Sequence, residues 1–167
     1  MRWLVDGYNV IRRDPDLRAH EEESLEAGRT ALLRVVASAA RAGGDRFTVV
    51  FDGAPGGGPA TGGGQVEVTF SRPPEKADDV LVRLARQLGA GAALVSSDRA
   101  VRDAAGRAGC AVIGADEFLR ALSTESRSKK DDDEDERPAR SGKRGNPRRP
   151  SKEARAAQRA LRRLGGS

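Results

Sequence analysis

The sequence predicts an α/β fold: a three-layer α/β/α sandwich with a mainly parallel central sheet, followed by a basic tail. Short apolar runs alternate with segments of helical periodicity up to about residue 122, which is typical of a parallel sheet covered on both faces. Three of the runs stop at an aspartate, namely Asp6, Asp52 and Asp98. Because the carboxyl ends of parallel strands meet at one sheet edge, where open α/β folds bind ligands, we expect these aspartates to lie together.

The first half of the chain predicts two buried strands, one helix and an edge strand. Residues 2–6 are β-forming and end in a loop at Asp6-Gly7-Tyr8-Asn9. Residues 24–42 have apolar side chains at helical spacing and stop at a glycine pair. Residues 47–51 predict a second buried strand, and residues 65–70 alternate like a half-buried edge strand. Between those strands, residues 55–64 contain six glycines and are expected to be irregular.

The second half predicts alternating helices and strands. A helix over residues 76–88 has acidic residues in its first turn and ends at a glycine. It is followed by a buried strand over 92–95, a helix over 99–108 that Asp98 opens, a strand over 110–113 and a helix over 115–122. The predicted order is therefore β-α-β-β-α-β-α-β-α.

Charge divides the chain into a near-neutral domain and a cationic tail. Residues 1–122 carry 16 basic and 17 acidic side chains, whereas residues 123–167 carry 14 basic and 8 acidic ones. Residues 123–150 include six consecutive acids and few apolar side chains, so they predict a disordered charged linker. Residues 151–167 predict a short basic helical tail, which we expect to fold only on a polyanion.

Composition excludes several classes of chemistry. Cys110 is the single cysteine, which rules out an intramolecular disulfide and a cysteine-rich zinc site, and its apolar surroundings predict a buried side chain. The single histidine, His20, lies among charged residues in a predicted exposed loop, so a Ser-His-Asp or Cys-His mechanism lacks a base. No run approaches the ~20 apolar residues of a membrane span, and we expect a cytoplasmic protein.

Aspartate is the residue type left to support catalysis. Carboxylate oxygens are the ligands that Mg²⁺ prefers, and a divalent ion can activate water without a histidine base. Each candidate also has a local explanation, as a helix cap or a turn, so convergence at one edge is the informative feature. The candidate acids are Asp6, Asp52, Asp78, Asp79 and Asp98, with Asn9 and Ser97 as neutral groups able to hold an outer-shell water or a phosphate oxygen.

Residues 4–11, Leu-Val-Asp-Gly-Tyr-Asn-Val-Ile, resemble the opening signature of the YacP-like branch of the NYN domains, within the PIN-like nuclease superfamily. The resemblance continues in order through residues 49–52, 66–70, 76–79 and 95–98. It implies a PIN-like sandwich and a Mg²⁺- or Mn²⁺-dependent endoribonuclease, with some family members linked to cleavage of ribosome-associated mRNA. By position, it implies metal binding by Asp6, Asp78 and Asp98 and supporting roles for Asn9, Asp52 and Asp79.

The basic tail is predicted to attract RNA. Arginines contact phosphate without reading sequence. The residues expected to do so are Arg144, Arg148, Arg149, Arg155, Arg159, Arg162 and Arg163.

Two other functions remain open. The first is a non-catalytic RNA-binding or ribosome-associated module, against which the full set of acids argues, because phosphate binding alone is better served by lysine or arginine. The second is a phosphatase with an aspartyl nucleophile after its first strand, which generally needs a second acid two residues later, where this chain has Tyr8. The glycine-rich residues 55–64 lack the lysine-threonine or lysine-serine ending of a nucleotide cradle.

Overall fold

The central sheet consists of five strands that all run in the same direction. The computed structural model describes residues 1–53, 64–128 and 152–164. The strands are β1 (Arg2–Asp6), β2 (Arg46–Phe51), β3 (Val66–Phe70), β4 (Ala92–Val95) and β5 (Ala111–Ile113). Their spatial order is β3-β2-β1-β4-β5, with every neighbouring pair parallel. The predicted edge strand over residues 65–70 is therefore confirmed, as β3.

Seven α-helices in the described part of the chain cover the sheet. They are α1 (Gly7–Ile11), α2 (Pro15–Glu23), α3 (Leu25–Gly43), α4 (Ala77–Leu88), α5 (Arg99–Arg107), α6 (Ala115–Ser128) and α7 (Lys152–Leu164). None of them combines the length and hydrophobicity needed to cross a bilayer.

Two apolar cores lie on opposite faces of the sheet. Alternation along β1 sends Trp3 and Val5 to one face and Leu4 to the other. The first face packs against α1, α2, α3, α6 and α7, and the second packs against α4 and α5. The predicted three-layer α/β/α sandwich is confirmed, and Cys110 is buried in the second core, as predicted.

The segment after β1 contains two helices that the sequence pattern did not predict. Asp14 caps α2 by accepting hydrogen bonds from the amides of Asp16 and Leu17, at 2.9 and 3.0 Å, with Pro15 at the first helical position. Only Leu17 of α2 is buried, so the helix has little apolar periodicity to reveal it. His20 consequently lies on this helix, not in a loop, and its side chain is exposed as expected.

Most of the predicted linker lies outside the described residues. Helix α6 runs six residues past its predicted end at Leu122, reaching Ser128. The rest of the linker, residues 129–150, and all but the last residue of the glycine-rich segment, residues 55–63, lie outside the described part of the chain.

Helix α7 packs against the domain, which differs from the expectation of a helix formed only on a polyanion. Ala160 and Leu164 are buried in the first core, beside the sheet and α6. The buried apolar face provides the stabilisation that an isolated helix of this length lacks.

A buried carboxylate ties α7 to the amino end of the sheet. Asp45, 1% exposed, accepts hydrogen bonds from the Met1 amino group at 2.8 Å, Trp3 Nε1 at 2.9 Å and Arg163 Nη2 at 3.1 Å. Burial alone acts to raise the pKa of Asp45, but these three donors outweigh it and the pKa is lowered. The arginine therefore has a structural partner within the domain.

Candidate active site

Four aspartates line one cleft at the carboxyl edge of the sheet: Asp6 at the end of β1, Asp52 directly after β2, Asp78 in the first turn of α4 and Asp98 directly before α5. The cleft has a volume of about 500 Å³. Its polar lining comprises Asp6, Asp52, Asp78, Asp98, Asn9, Tyr8, Arg12, Arg13 and Lys76. Parallel strand direction causes this convergence, because each loop leaves its strand on the same side.

Asp6 is the most buried acid of the cleft. It caps α1, with Oδ1 accepting from the Asn9 amide at 3.3 Å, while Oδ2 accepts from the Ser96 hydroxyl at 3.0 Å. Burial raises the pKa of Asp6, these two hydrogen bonds lower it, and the charges of Asp78 and Asp98 raise it further, leaving it above its ordinary value. The carboxylate is thus held in a fixed position where its charge is costly.

Asp98 caps α5 with one carboxylate oxygen and leaves the other available. Oδ1 accepts from the Val101 amide at 3.0 Å, and Oδ2 has no hydrogen bond within the described residues. The cap accounts for the aspartate as a helix start, but it uses only half of the carboxylate. Because Asp98 lines the cleft, its second carboxylate oxygen is available to a ligand there.

Asp52 uses one carboxylate oxygen to hold the loop that leads into α4. Its Oδ1 accepts from the Ser71 hydroxyl at 2.7 Å and from the Ala77 amide at 3.2 Å. This bridge joins the end of β2 to the start of α4, so Asp52 positions the helix that carries the next acid.

The two adjacent acids of α4 differ in geometry. Asp79 Oδ2 accepts from the Lys76 amide at 3.0 Å, closing the helix start, and Asp79 does not line the cleft. Asp78 lines the cleft and has no hydrogen bond or ion pair within residues 1–53, 64–128 and 152–164. Partial burial and the charges of Asp98, Asp52 and Asp79 raise the pKa of Asp78. The helix register therefore separates one cleft acid from one capping acid.

Asn9 connects the loop after β1 to the loop after β4. Its Oδ1 accepts from the Ser97 amide at 2.9 Å, which orients Nδ2 as an available donor on a residue that lines the cleft. Ser97 contributes through its backbone, and its hydroxyl has no hydrogen-bond partner in the described part of the chain.

Ser96 is a site residue that the sequence analysis missed. It is fully buried, and its hydroxyl donates to Asp6 Oδ2 and accepts from the Asp98 amide at 3.1 Å. The Ser96 side chain thus links the carboxylate of Asp6, at the end of β1, to the backbone of Asp98, after β4. Its position directly after a buried strand, two residues before Asp98, is the signal that was available in the sequence.

Replacing Ser96 with alanine is expected to raise the pKa of Asp6 further, because it removes a hydrogen bond that favours the ionised carboxylate. NMR titration of the side-chain carboxyl carbon of Asp6 measures the shift. The matched control is Ser97→Ala, which removes a hydroxyl with no partner among the described residues. An unchanged titration of Asp6 in Ser96→Ala would contradict this interpretation of the bond.

Tyr8 forms one wall of the cleft and is held from two sides. Its hydroxyl accepts a hydrogen bond from Arg29 Nη1 at 2.9 Å, and its ring meets the Phe51 ring edge-on with centroids 5.1 Å apart. The Arg12 guanidinium lies 5.6 Å from the Tyr8 ring centroid. Aromatic and cationic groups therefore border the acids.

The donor chemistry of the cleft suits a hard divalent cation. Within the residues that the structure describes, no three His, Cys, Asp or Glu side chains are placed so that they could bind one ion together. Mg²⁺ usually takes one or two carboxylates and completes its octahedron with water and substrate phosphate, which the uncommitted oxygens of Asp78 and Asp98 can satisfy. The mutual repulsion of these acids would be relieved by a cation.

The predicted RNA-binding arginines fall into three groups. Arg144, Arg148 and Arg149 lie outside the described residues. Arg155, Arg159 and Arg162 are exposed on α7. Arg163 donates to buried Asp45.

Comparison with known proteins identifies relatives in Bacillus subtilis. The chain is 36% identical over 87 residues to the uncharacterized protein YacP of Bacillus subtilis (strain 168), an alignment that covers 51% of each protein. The chain thus spans about half the length of that curated relative. It also resembles the crystal structure of Rae1 (YacP) from Bacillus subtilis, with a TM-score of 0.68 and 31% identity, covering 78% of each chain. The W164L mutant of the same protein gives a TM-score of 0.66 and 30% identity over 78% of this chain and 79% of that one.

A family model decides the classification. NYN domains are a nuclease-type hydrolase family with RNA as the implied substrate. The model described as the YacP-like NYN domain matches residues 3–163, from β1 into the last turn of α7. The chain belongs to the YacP-like NYN domain family.

Proposed function

We propose that this protein is a cytoplasmic endoribonuclease that depends on Mg²⁺ or Mn²⁺ and hydrolyses RNA phosphodiester bonds. The observation that carries the proposal is the group of four aspartates around one cleft, two of them with raised pKa values, in a chain of the NYN family. A pure phosphate-binding site has no use for so much negative charge, since phosphate and carboxylate repel each other.

Asp6, Asp78 and Asp98 are the residues proposed to hold the cation: Asp78 and Asp98 would bind it through their uncommitted oxygens, and Asp6, whose two oxygens accept hydrogen bonds, would hold it through a water. When bound, a divalent ion acidifies water and offsets the charge of a phosphate under attack. Asp52 accepts a hydrogen bond from the first residue of α4, and Ser96 and Asn9 accept hydrogen bonds from amides in the loop before α5. These three residues therefore position the acids.

Cationic and amide groups on the same cleft can orient the substrate. Asn9 Nδ2 is an available donor for a phosphate oxygen. Arg12, Arg13 and Lys76 also line the cleft and can contact phosphate oxygens of the substrate. Because some members of the family that the sequence resembles are linked to cleavage of ribosome-associated mRNA, we extend the proposal to messenger RNA engaged by the ribosome.

End-labelled RNA incubated with the full chain in EDTA, Mg²⁺ or Mn²⁺ tests the proposal. We expect cleavage only with a divalent ion, and products without a 2′,3′-cyclic phosphate, because the attacking group is water and not the 2′-hydroxyl. Cleavage in EDTA, or cyclic ends, would contradict the mechanism. If Mn²⁺ neither stabilises the protein nor changes RNA integrity, the non-catalytic RNA-binding module is the better account.

Mapping new 5′ ends in total RNA tests the ribosomal part of the proposal. Purified protein is added with and without translating ribosomes, with Mn²⁺ present. Ends that appear only with translating ribosomes support it, whereas equal cleavage of free RNA removes the ribosome from the proposal and leaves the nuclease in place.

A further inference from the structure

A groove separate from the acidic cleft runs along the outer edge of β5. It lies between α5, on one face of the sheet, and α7, on the other, and its volume is about 830 Å³. Val112 of β5 and Gly106 of α5 contribute to its lining. Edge strands are usually covered, and here α7 covers part of β5 while leaving the groove beside it.

The α5 side of the groove is cationic. Helix α5 buries Val101 and Ala105 in the second core and turns Arg99, Arg102 and Arg107 to the groove. Arg99 lies 3.8 Å from Asp103, whereas Arg102 and Arg107 have no acidic partner among the described residues. Two uncompensated charges therefore face this groove.

The α7 wall of the groove is uncharged, and two exposed arginines of α7 stand beside it. Ala154, Ala157, Gln158 and Leu161 line the groove. Residues three and four positions apart are neighbours on a helix surface, so exposed Arg155 and Arg162 adjoin Gln158.

The acids of the groove are engaged locally. Asp103 lies beside Arg99, and Glu117 Oε2 accepts from the Gly114 amide at 3.1 Å. The lining therefore carries three arginines, all on the α5 wall, against these two acids. A polyanion with an apolar surface between its charges, as the sugars and bases of a nucleic acid strand provide, complements such a groove.

The groove and the cleft come close together at the start of α5. Asp98 lines the cleft and the next residue, Arg99, lines the groove. From this proximity and the charges, we infer that the groove between α5 and α7 binds a single-stranded stretch of RNA backbone and leads it to the acidic cleft. The inference rests on the proposed RNA substrate. The α7 wall holds no aromatic ring, and arginine contacts to phosphate do not read sequence, so we expect binding there to be independent of base sequence.

Binding of fluorescein-labelled oligouridylate to the full chain in EDTA, at several KCl concentrations, tests the inference without any cleavage step. The groove variant combines Arg102→Gln, Arg107→Gln and Arg162→Gln. Each lost phosphate contact lowers the slope of log affinity against log salt by about 0.7, so the variant should bind more weakly with a slope smaller by about 2. The control variant, Arg34→Gln with Arg41→Gln and Arg46→Gln, removes the same charge from exposed positions on α3 and at the start of β2, and should keep the wild-type slope.

Equal slopes for the groove variant and the wild type would overturn the inference, as would equal losses in both variants. Competition by polyglutamate as strong as that by unlabelled oligouridylate would assign the groove to an acidic peptide instead. Failure of the nuclease proposal has a different signature: no cation-dependent cleavage by the wild type, with the difference in binding slope intact.

Discussion

Replacing Asp6 with asparagine is expected to reduce RNA cleavage by about a thousandfold or more. A carboxylate that holds a catalytic cation, directly or through a water, contributes several kcal/mol of transition-state stabilisation, and each 1.4 kcal/mol or so is a tenfold change in rate. Asparagine has the same shape and can still accept from the Asn9 amide, so the loop geometry should survive. Initial rates on a defined RNA with Mn²⁺ measure the effect.

The same substitution is expected to stabilise the protein when no divalent ion is present. The pKa of Asp6 is raised in the folded state above the ordinary value of 3.8, so folding disfavours its ionised form. The resulting penalty on the free energy of unfolding is absent below the ordinary pKa. It grows as pH rises from that value to the folded-state pKa, and it is complete above the folded-state pKa. Asp6→Asn should therefore have a higher Tm than the wild type at neutral pH in EDTA, and the difference should shrink on acidification.

The control for Asp6→Asn is Asp16→Asn, which makes the same chemical change on the exposed surface of α2. It should leave the cleavage rate and its Mn²⁺ dependence at wild-type values. Undiminished cleavage by Asp6→Asn would remove this residue from the site. A lower Tm at neutral pH in EDTA would show instead that the ionised carboxylate stabilises the loop.

Replacing Gly7 with alanine is expected to destabilise the domain and to disturb the loop that carries Asp6. A β-carbon at this buried position would lie 2.2 Å from Cε1 of Phe51, well inside van der Waals contact. The Phe51 ring cannot move aside easily, because it is fully buried and stacks on Phe70 with centroids 5.7 Å apart. Overpacking of this kind usually costs about 1–3 kcal/mol.

Urea unfolding measures this loss, and Gly91→Ala is the matched control because, among the described residues, no atom beyond its chain neighbours lies within 4 Å of its added carbon. The double variant Gly7→Ala with Phe51→Leu provides a second check. Removing the ring opens space for the methyl group, so the combined loss of unfolding free energy should be smaller than the sum of the single losses. Strict additivity would contradict steric conflict as the cause.

Hydrophobic periodicity was sufficient to predict the sandwich, because each strand buries apolar residues and each long helix has one apolar face. Helix α2 escaped the prediction because it buries little more than Leu17, and only Asp14-Pro15 marks its start. Helix α7 was recognised as a helix, but its packing was not predicted. Its stabilisation comes from burial of Ala160 and Leu164 and from the Asp45–Arg163 bond across 118 positions of the chain.

The sequence alone determined the fold class, the family resemblance and the expectation that strand-ending aspartates meet at one sheet edge, since these depend on local pattern and on parallel strand direction. The tertiary structure decided which oxygens are committed: it separated Asp78 in the cleft from Asp79 in a helix cap, and it revealed Ser96 as the link between Asp6 and Asp98. Such assignments depend on side-chain orientation and on contacts between residues 90 positions apart, as with Asp6 and Ser96, which no local pattern encodes.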